Sequence, residues 1–128
     1  MKKVNCDLFK QGEYILFNIQ RLSEFEAAIG ISIGQLLQMQ QWPINTIVNG
    51  FAVGMQQYKR PLPQYFKLID ELLNNDDELT LLHFQAPLMK ALIASGAFGK
   101  KLYYSVYADE QTEADVLEIE AEESKAKN

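Results

Sequence analysis

Apolar positions recur at helical spacing through most of this chain and at alternate positions only near its start. Val4, Cys6 and Leu8 alternate with polar neighbours, KQGE follows at 10–13, and Phe17 and Ile19 alternate around Asn18. The pattern predicts two short strands around a glycine turn, an N-terminal β-hairpin. Ser23 followed by Glu26 has the form of a capping box. Leu22, Phe25 and Ile29 then share a helical face that stops at Gly30. Ser32 opens a second expected helix, running to Gln41, with Ile33, Leu36, Leu37 and Trp42 facing inward. Pro43 suits the first turn of a third, because its missing N–H has no helical partner there. Along that third helix Ile44, Ile47, Val48, Phe51 and Met55 form the clearest apolar stripe in the chain. Thr46, Gly50 and Gly54 lie four apart beside the stripe, small residues that let another backbone come close.

KRPLP then punctuates the chain, since each proline disfavours helix just before it. A helix over 64–73 is expected to bury Tyr65, Leu68, Ile69 and Leu72. NNDD ends it, and Asp76 or Asp77 can cap a segment starting near Glu78. Pro87 is expected to split that segment into a short helix, Leu79–His83, and a longer one, Ala86–Ser95, closed by Gly96. KLYYSVYA at 101–108 is β-prone and would join the hairpin as a third strand. The fold class is therefore mainly α, with four to six short helices and a small N-terminal hairpin. No internal repeat is visible.

Charge divides the chain where the pattern does. Residues 1–108 carry nine acids and ten bases, whereas 109–128 carry eight acids against Lys125 and Lys127. Large side chains also thin out there, apart from Val116, Leu117 and Ile119. A single globular domain over 1–108 and an acidic, mobile tail over 109–128 are expected. The 128 residues suffice for a core without staples, and the lone cysteine, Cys6, allows no internal disulfide. MKKVNCDLF lacks the apolar stretch of a secretory signal, and no run approaches the length of a membrane span. A soluble, cytoplasmic protein is expected.

The two helical patterns meeting at Gly30–Ser32 have the spacing of a helix-turn-helix. A DNA reader needs cations for phosphates, yet there is no Lys or Arg between Leu22 and Tyr58. Nucleic acid is not an expected partner. His83, the single histidine, has no orienting carboxylate or nucleophile at a fixed spacing, and one His with one Cys cannot form a structural zinc site. Asn74–Glu78 lacks the ligand spacing of a calcium loop, and GAFGKK lacks that of a phosphate loop. Neither an enzyme nor a bound cofactor or metal is expected. What remains is surface for partners. Glutamines 35, 38, 40, 41, 56 and 57, with Met39, Trp42 and Met55 nearby, make an uncharged, adaptable region. Met39, Trp42, Gln38 and Gln41 are the candidate contact residues, and Ile44, Ile47, Val48, Phe51 and Met55 serve either core or self-assembly.

FNIQRLSEFEAAIGISIGQLL, with its Leu22, Phe25, Glu26, Ile29, Gly30 and Ser32, resembles the start of phage tail assembly chaperones, including the gene-transfer-agent, siphophage and myophage types. INTIVNGFAVGMQQY resembles that family's central helix, and YFKLIDELLNNDDELTLLHFQAPLMKALIASGAFG its closing helices. The likeness covers most of residues 14–99 and leaves out the hairpin before Tyr14. It implies a factor in the bacterial host cytoplasm that keeps the long, apolar tape measure protein soluble, recruits tail tube subunits and is absent from the finished virion. It further implies self-association, and a longer frameshifted form that meets the tube subunits. No membrane partner is implied. A small structural or regulatory phage protein, such as a head–tail connector, an anti-repressor or a DNA-binding regulator, is the alternative.

Overall fold

The structure is a computed structural model that describes residues 2–108, 117 and 119–121. It is mainly helical with a two-stranded antiparallel hairpin, β1 (Val4–Asn5) and β2 (Tyr14–Ile15), in which Val4 pairs with Ile15. Helices α1 (Ile19–Ile29), α2 (Ile33–Leu36), α3 (Ile44–Gly54), α4 (Leu62–Asn75), α5 (Leu81–Ala94) and α6 (Lys100–Val106) follow, with a 3-10 turn at Gln56–Tyr58. The expected tail over 109–128 falls outside the described residues, except for Leu117 and Ile119–Ala121.

Helix α3 is the hub, packing against α1, α4 and α5. Its small residues decide how closely they approach. A Cβ on Gly50 would lie 2.9 Å from Leu88 of α5 and 3.3 Å from Phe25 of α1. One on Gly54 would lie 2.7 Å from Ile15 and 2.9 Å from Phe17. The close approach read from the small-residue spacing is present, although at Gly54 the neighbour is the hairpin exit rather than a helix. Phe51 faces the remaining side, in an aromatic cluster with Phe9, Tyr65 and Phe84. Phe9 reaches this cluster from the hairpin loop, its ring edge-on to Phe51 at 4.9 Å and to Tyr65 at 5.3 Å.

Several local expectations give way to better-satisfied alternatives. Helix α1 begins four residues before Ser23, because the Asn18 side chain accepts from the Arg21 N–H at 2.8 Å. Ile19 is therefore helical, and strand β2 stops at Ile15. Glu26, released from capping its own helix, accepts from the Ile33 N–H at 2.8 Å and so joins α1 to α2. Ser32 does cap α2, reciprocally with Gln35, but that helix is a single turn and not one reaching Gln41. Pro43 sits at the cap of α3, just before its first turn. Helix α4 starts two residues earlier and ends two residues later than its apolar pattern suggests.

The segment after NNDD starts at Thr80, which caps α5 reciprocally with His83; Asp76 instead accepts from the Glu78 N–H. Pro87 does not divide α5. An interior proline costs about 3 kcal/mol. Burial of Phe84, Leu88, Ala91 and Leu92 along the same helix opposes that, at about 1.5–3 kcal/mol for each large side chain.

Residues 100–106 form α6 rather than a third strand. The outer edge of β2 is already satisfied by side chains: the Tyr14 N–H donates to the Tyr58 hydroxyl at 3.0 Å, and Gln57 Nε2 donates to the Tyr14 carbonyl at 2.9 Å. A helical turn also stacks Tyr103 on Tyr107, with ring centres 5.0 Å apart. Two further ties hold the hairpin. Arg21 donates to the carbonyls of Leu16 and Gly54 and to Gln57. Buried Glu13 pairs with Arg60, whose guanidinium lies over the Tyr58, Tyr65 and Phe9 rings.

Gly54→Ala is expected to destabilise the fold by about 1–3 kcal/mol, the range for overpacking a filled interior. Gly34→Ala, whose new methyl would meet nothing closer than Ser32 Oγ at 3.9 Å, should instead stabilise it by about 0.5–1 kcal/mol. Urea unfolding midpoints read both. Burial also pushes the Cys6 thiol above its ordinary range. The unfolded chain therefore loses that proton first, and stability present at neutral pH is lost as pH rises through the ordinary thiol range. Unfolding of Cys6→Ala should show a shallower decline between about pH 8 and pH 10 than the parent; parallel declines would remove the thiol from the linkage.

Candidate functional site

The stripe that makes α3 a hub runs out of partners at its N-terminal end. Ile47, Val48, Phe51 and Met55 are buried, so four of the five predicted stripe residues build the interior. Ile44, one turn before Val48, is 54% exposed. It opens a groove of about 660 Å³ between the start of α3, the length of α4 and the start of α5. Val48 and Ile69 line it beside Ile44, together with Pro63, Phe66, Leu73 and Leu81, while Lys67 and Asp70 supply the charge. Phe66 is 42% exposed there, a large aromatic partly in water.

Trp42, expected as a contact anchor, is interior at 3% exposure. Its indole N–H donates to the Leu36 carbonyl at 3.1 Å, which closes the turn after α2. Its backbone N–H donates to buried Gln85 Oε1 at 2.9 Å, and Gln85 Nε2 donates to the Gln40 carbonyl at 3.0 Å. Gln85 thus holds the 40–42 segment against α5 from inside. This fixing explains why the surrounding residues stay outside. Gln38 and Met39 line a second depression, about 430 Å³, with Leu37, Leu82 and Met89. Gln41 is exposed. The two depressions flank the first turn of α5, where Leu81 lines one and Leu82, 54% exposed, lines the other.

The predicted residues therefore separate into an interior group, Trp42, Ile47, Val48, Phe51 and Met55, and a surface group, Gln38, Met39, Gln41 and Ile44. Phe66, Leu73, Leu81 and Leu82 were missed. A signal for two of them was available: Phe66, Ile69 and Leu73 repeat at 3 and 4 residues, a second apolar edge beside the buried Tyr65–Ile69 face.

No family model, curated protein or solved structure matches this chain. The site therefore has to be read from its own chemistry. Its side chains offer apolar surface with one cation and one anion, and no nucleophile paired with a base. Among the described residues no group of three His, Cys, Asp or Glu side chains is placed to hold a metal ion. His83 caps its own helix, its Nδ1 accepting from the Thr80 N–H at 3.0 Å. No helix among the described residues is long and apolar enough to cross a membrane. An open, apolar, helix-walled groove is suited to holding another apolar helix.

Gln85→Ala leaves the buried Trp42 N–H without its partner and takes the donor from the part-buried Gln40 carbonyl. Leaving such a group unsatisfied costs about 1–3 kcal/mol. Urea unfolding should show a loss of that order for Gln85→Ala and a change within about 0.5 kcal/mol for exposed Gln38→Ala.

Proposed function

We propose that this chain is a phage tail assembly chaperone whose α3–α4–α5 groove receives apolar helical segments of a tape measure protein. The observation that carries the reading is Ile44 and Phe66 exposed in an open apolar groove. Large apolar side chains grouped on a surface mark a site of association. The likeness of residues 14–99 to the tail chaperones supplies the partner's identity. A tape measure before assembly presents long apolar helical stripes, an aggregation hazard while no tube surrounds them. Covering such a stripe would bury the half of Ile44 and of Phe66 that is still in water, contributing about 1 kcal/mol each. One groove binds weakly; self-associated copies along a long helix add their contacts through high local concentration. The role is non-enzymatic and belongs to the host cytoplasm before the virion is complete. Recruitment of tail tube subunits, through a longer frameshifted form, completes the proposal.

Less supports a regulator that reads DNA. The segment that would serve as recognition helix, α2, is one turn long, Ile33–Leu36, and buries Ile33 and Leu36. A recognition helix has to lay several side chains along base edges.

Co-expression of the full chain with overlapping segments of any tape measure protein encoded in the same genome tests the reading. The chain should keep at least one such segment in the supernatant and co-purify with it. Ile44→Asp and Phe66→Asp should each weaken that complex about tenfold or more, with the helical circular dichroism unchanged. Failure of the parent chain to retain any segment overturns the proposal. So does its presence at fixed stoichiometry in purified virions, the result expected for a structural component.

A further inference from the structure

The outer face of α4 carries a pattern that is its own complement. Pro63, Phe66, Lys67, Asp70 and Leu73 follow one another at helical spacing and together form one wall of the groove. Phe66, Lys67 and Asp70 are exposed, and Leu73 is half-buried. Among the described residues neither Lys67 nor Asp70 forms an ion pair. Lys67 and Asp70 stand equally far from the point between Leu68 and Ile69, on opposite sides of it. Phe66 lies toward one end of the face and Leu73 toward the other.

A helix arranged in this way fits a second copy of itself turned end for end. A two-fold axis crossing α4 between residues 68 and 69 brings Lys67 level with Asp70 of the second copy, and Asp70 level with its Lys67. The same operation seats Phe66 beside Leu73 of the second copy, on the groove side. Parallel pairing would set each charge against its like.

We propose that two copies of this chain pair through antiparallel α4 helices, with two Lys67–Asp70 ion pairs at the centre and Phe66–Leu73 contacts beside them. The apolar contacts supply the attraction, because pairing takes from water the 42% of Phe66 that is exposed. Exposed ion pairs contribute little energy, and here they fix register and direction. The pairing stands on the face of α4 alone. Its consequence rests on the tape measure reading: the dimer covers one wall of the groove, so a client helix has to displace the second copy. Copies that line a client therefore touch one another elsewhere.

Sedimentation equilibrium of the full chain from about 10 μM to about 1 mM, the range of weak pairing, tests the proposal. A monomer–dimer equilibrium is expected. Lys67→Glu and Asp70→Lys should each weaken it about tenfold or more, since each turns two attractions per dimer into repulsions. Both substitutions in one chain should restore pairing with the ion pairs reversed. Mixing the two single variants should restore it as well, in heterodimers. Unchanged helical circular dichroism shows that these exposed substitutions leave the fold intact. A monomer at every concentration overturns the proposal, and if that monomer retains tape measure segments the groove serves a client alone. Pairing indifferent to charge reversal, a double variant no better than the single ones, or open-ended assembly in place of a closed dimer also overturns it. A parent dimer that retains no segment upholds the pairing and overturns only the tape measure reading.

Discussion

Helix α3 has to be touched on several sides at once, and the rest of the molecule follows from how that is made possible. Gly50 lets Leu88 and Phe25 close on the helix from two different elements, and Gly54 lets Ile15 and Phe17 close on its far end. A methyl at either position would hold its neighbours off by more than a core can absorb without strain. Glycine lowers the intrinsic stability of a helix by about 1 kcal/mol. Here the cost is offset by van der Waals contact that no larger residue would permit.

Close approach at Gly54 also accounts for a hairpin too short to stand alone, since two strands of two residues are marginal by themselves. The exit of β2 lies against α3, with the Leu16 N–H donating to the Gly54 carbonyl at 2.9 Å and Arg21 sharing that carbonyl from α1. Glu13 and Arg60 fasten the other side, the guanidinium lying among three aromatic rings. With its edge met by Gln57 and Tyr58, the hairpin needs no third strand, and residues 100–106 are left to coil beside α5.

The same arrangement determines what stays outside. Partners crowd the middle and C-terminal turns of α3, so its first turn, with Ile44, projects past them. Helix α4 then presents Phe66 and Leu73 toward that gap instead of closing it. Packing on the other side of α5 is what brings Lys90 and the N-terminal lysine to Tyr107, just past the end of α6. One face of the body is thus apolar and nearly uncharged, and another is cationic and aromatic.

Periodicity and capping chemistry are local, and they were legible from the residues alone. The helical faces of Leu22–Phe25, Ile47–Phe51 and Tyr65–Ile69, the Ser32 cap, the hairpin and the close approach at Gly50 and Gly54 could all be read from spacing. Competition between distant groups was not legible. Asn18 displaced Ser23 as a cap, Pro87 stayed helical because the residues around it are buried, and Lys100–Val106 became a helix because the strand edge was already filled. Trp42 and Ile44 are apolar neighbours two residues apart, yet one is sealed by Gln85 and Leu36 from other elements and the other is not. A sequence states which side chains avoid water. Only the packing of remote elements decides which of them succeed, and that remainder forms the surface proposed here to bind.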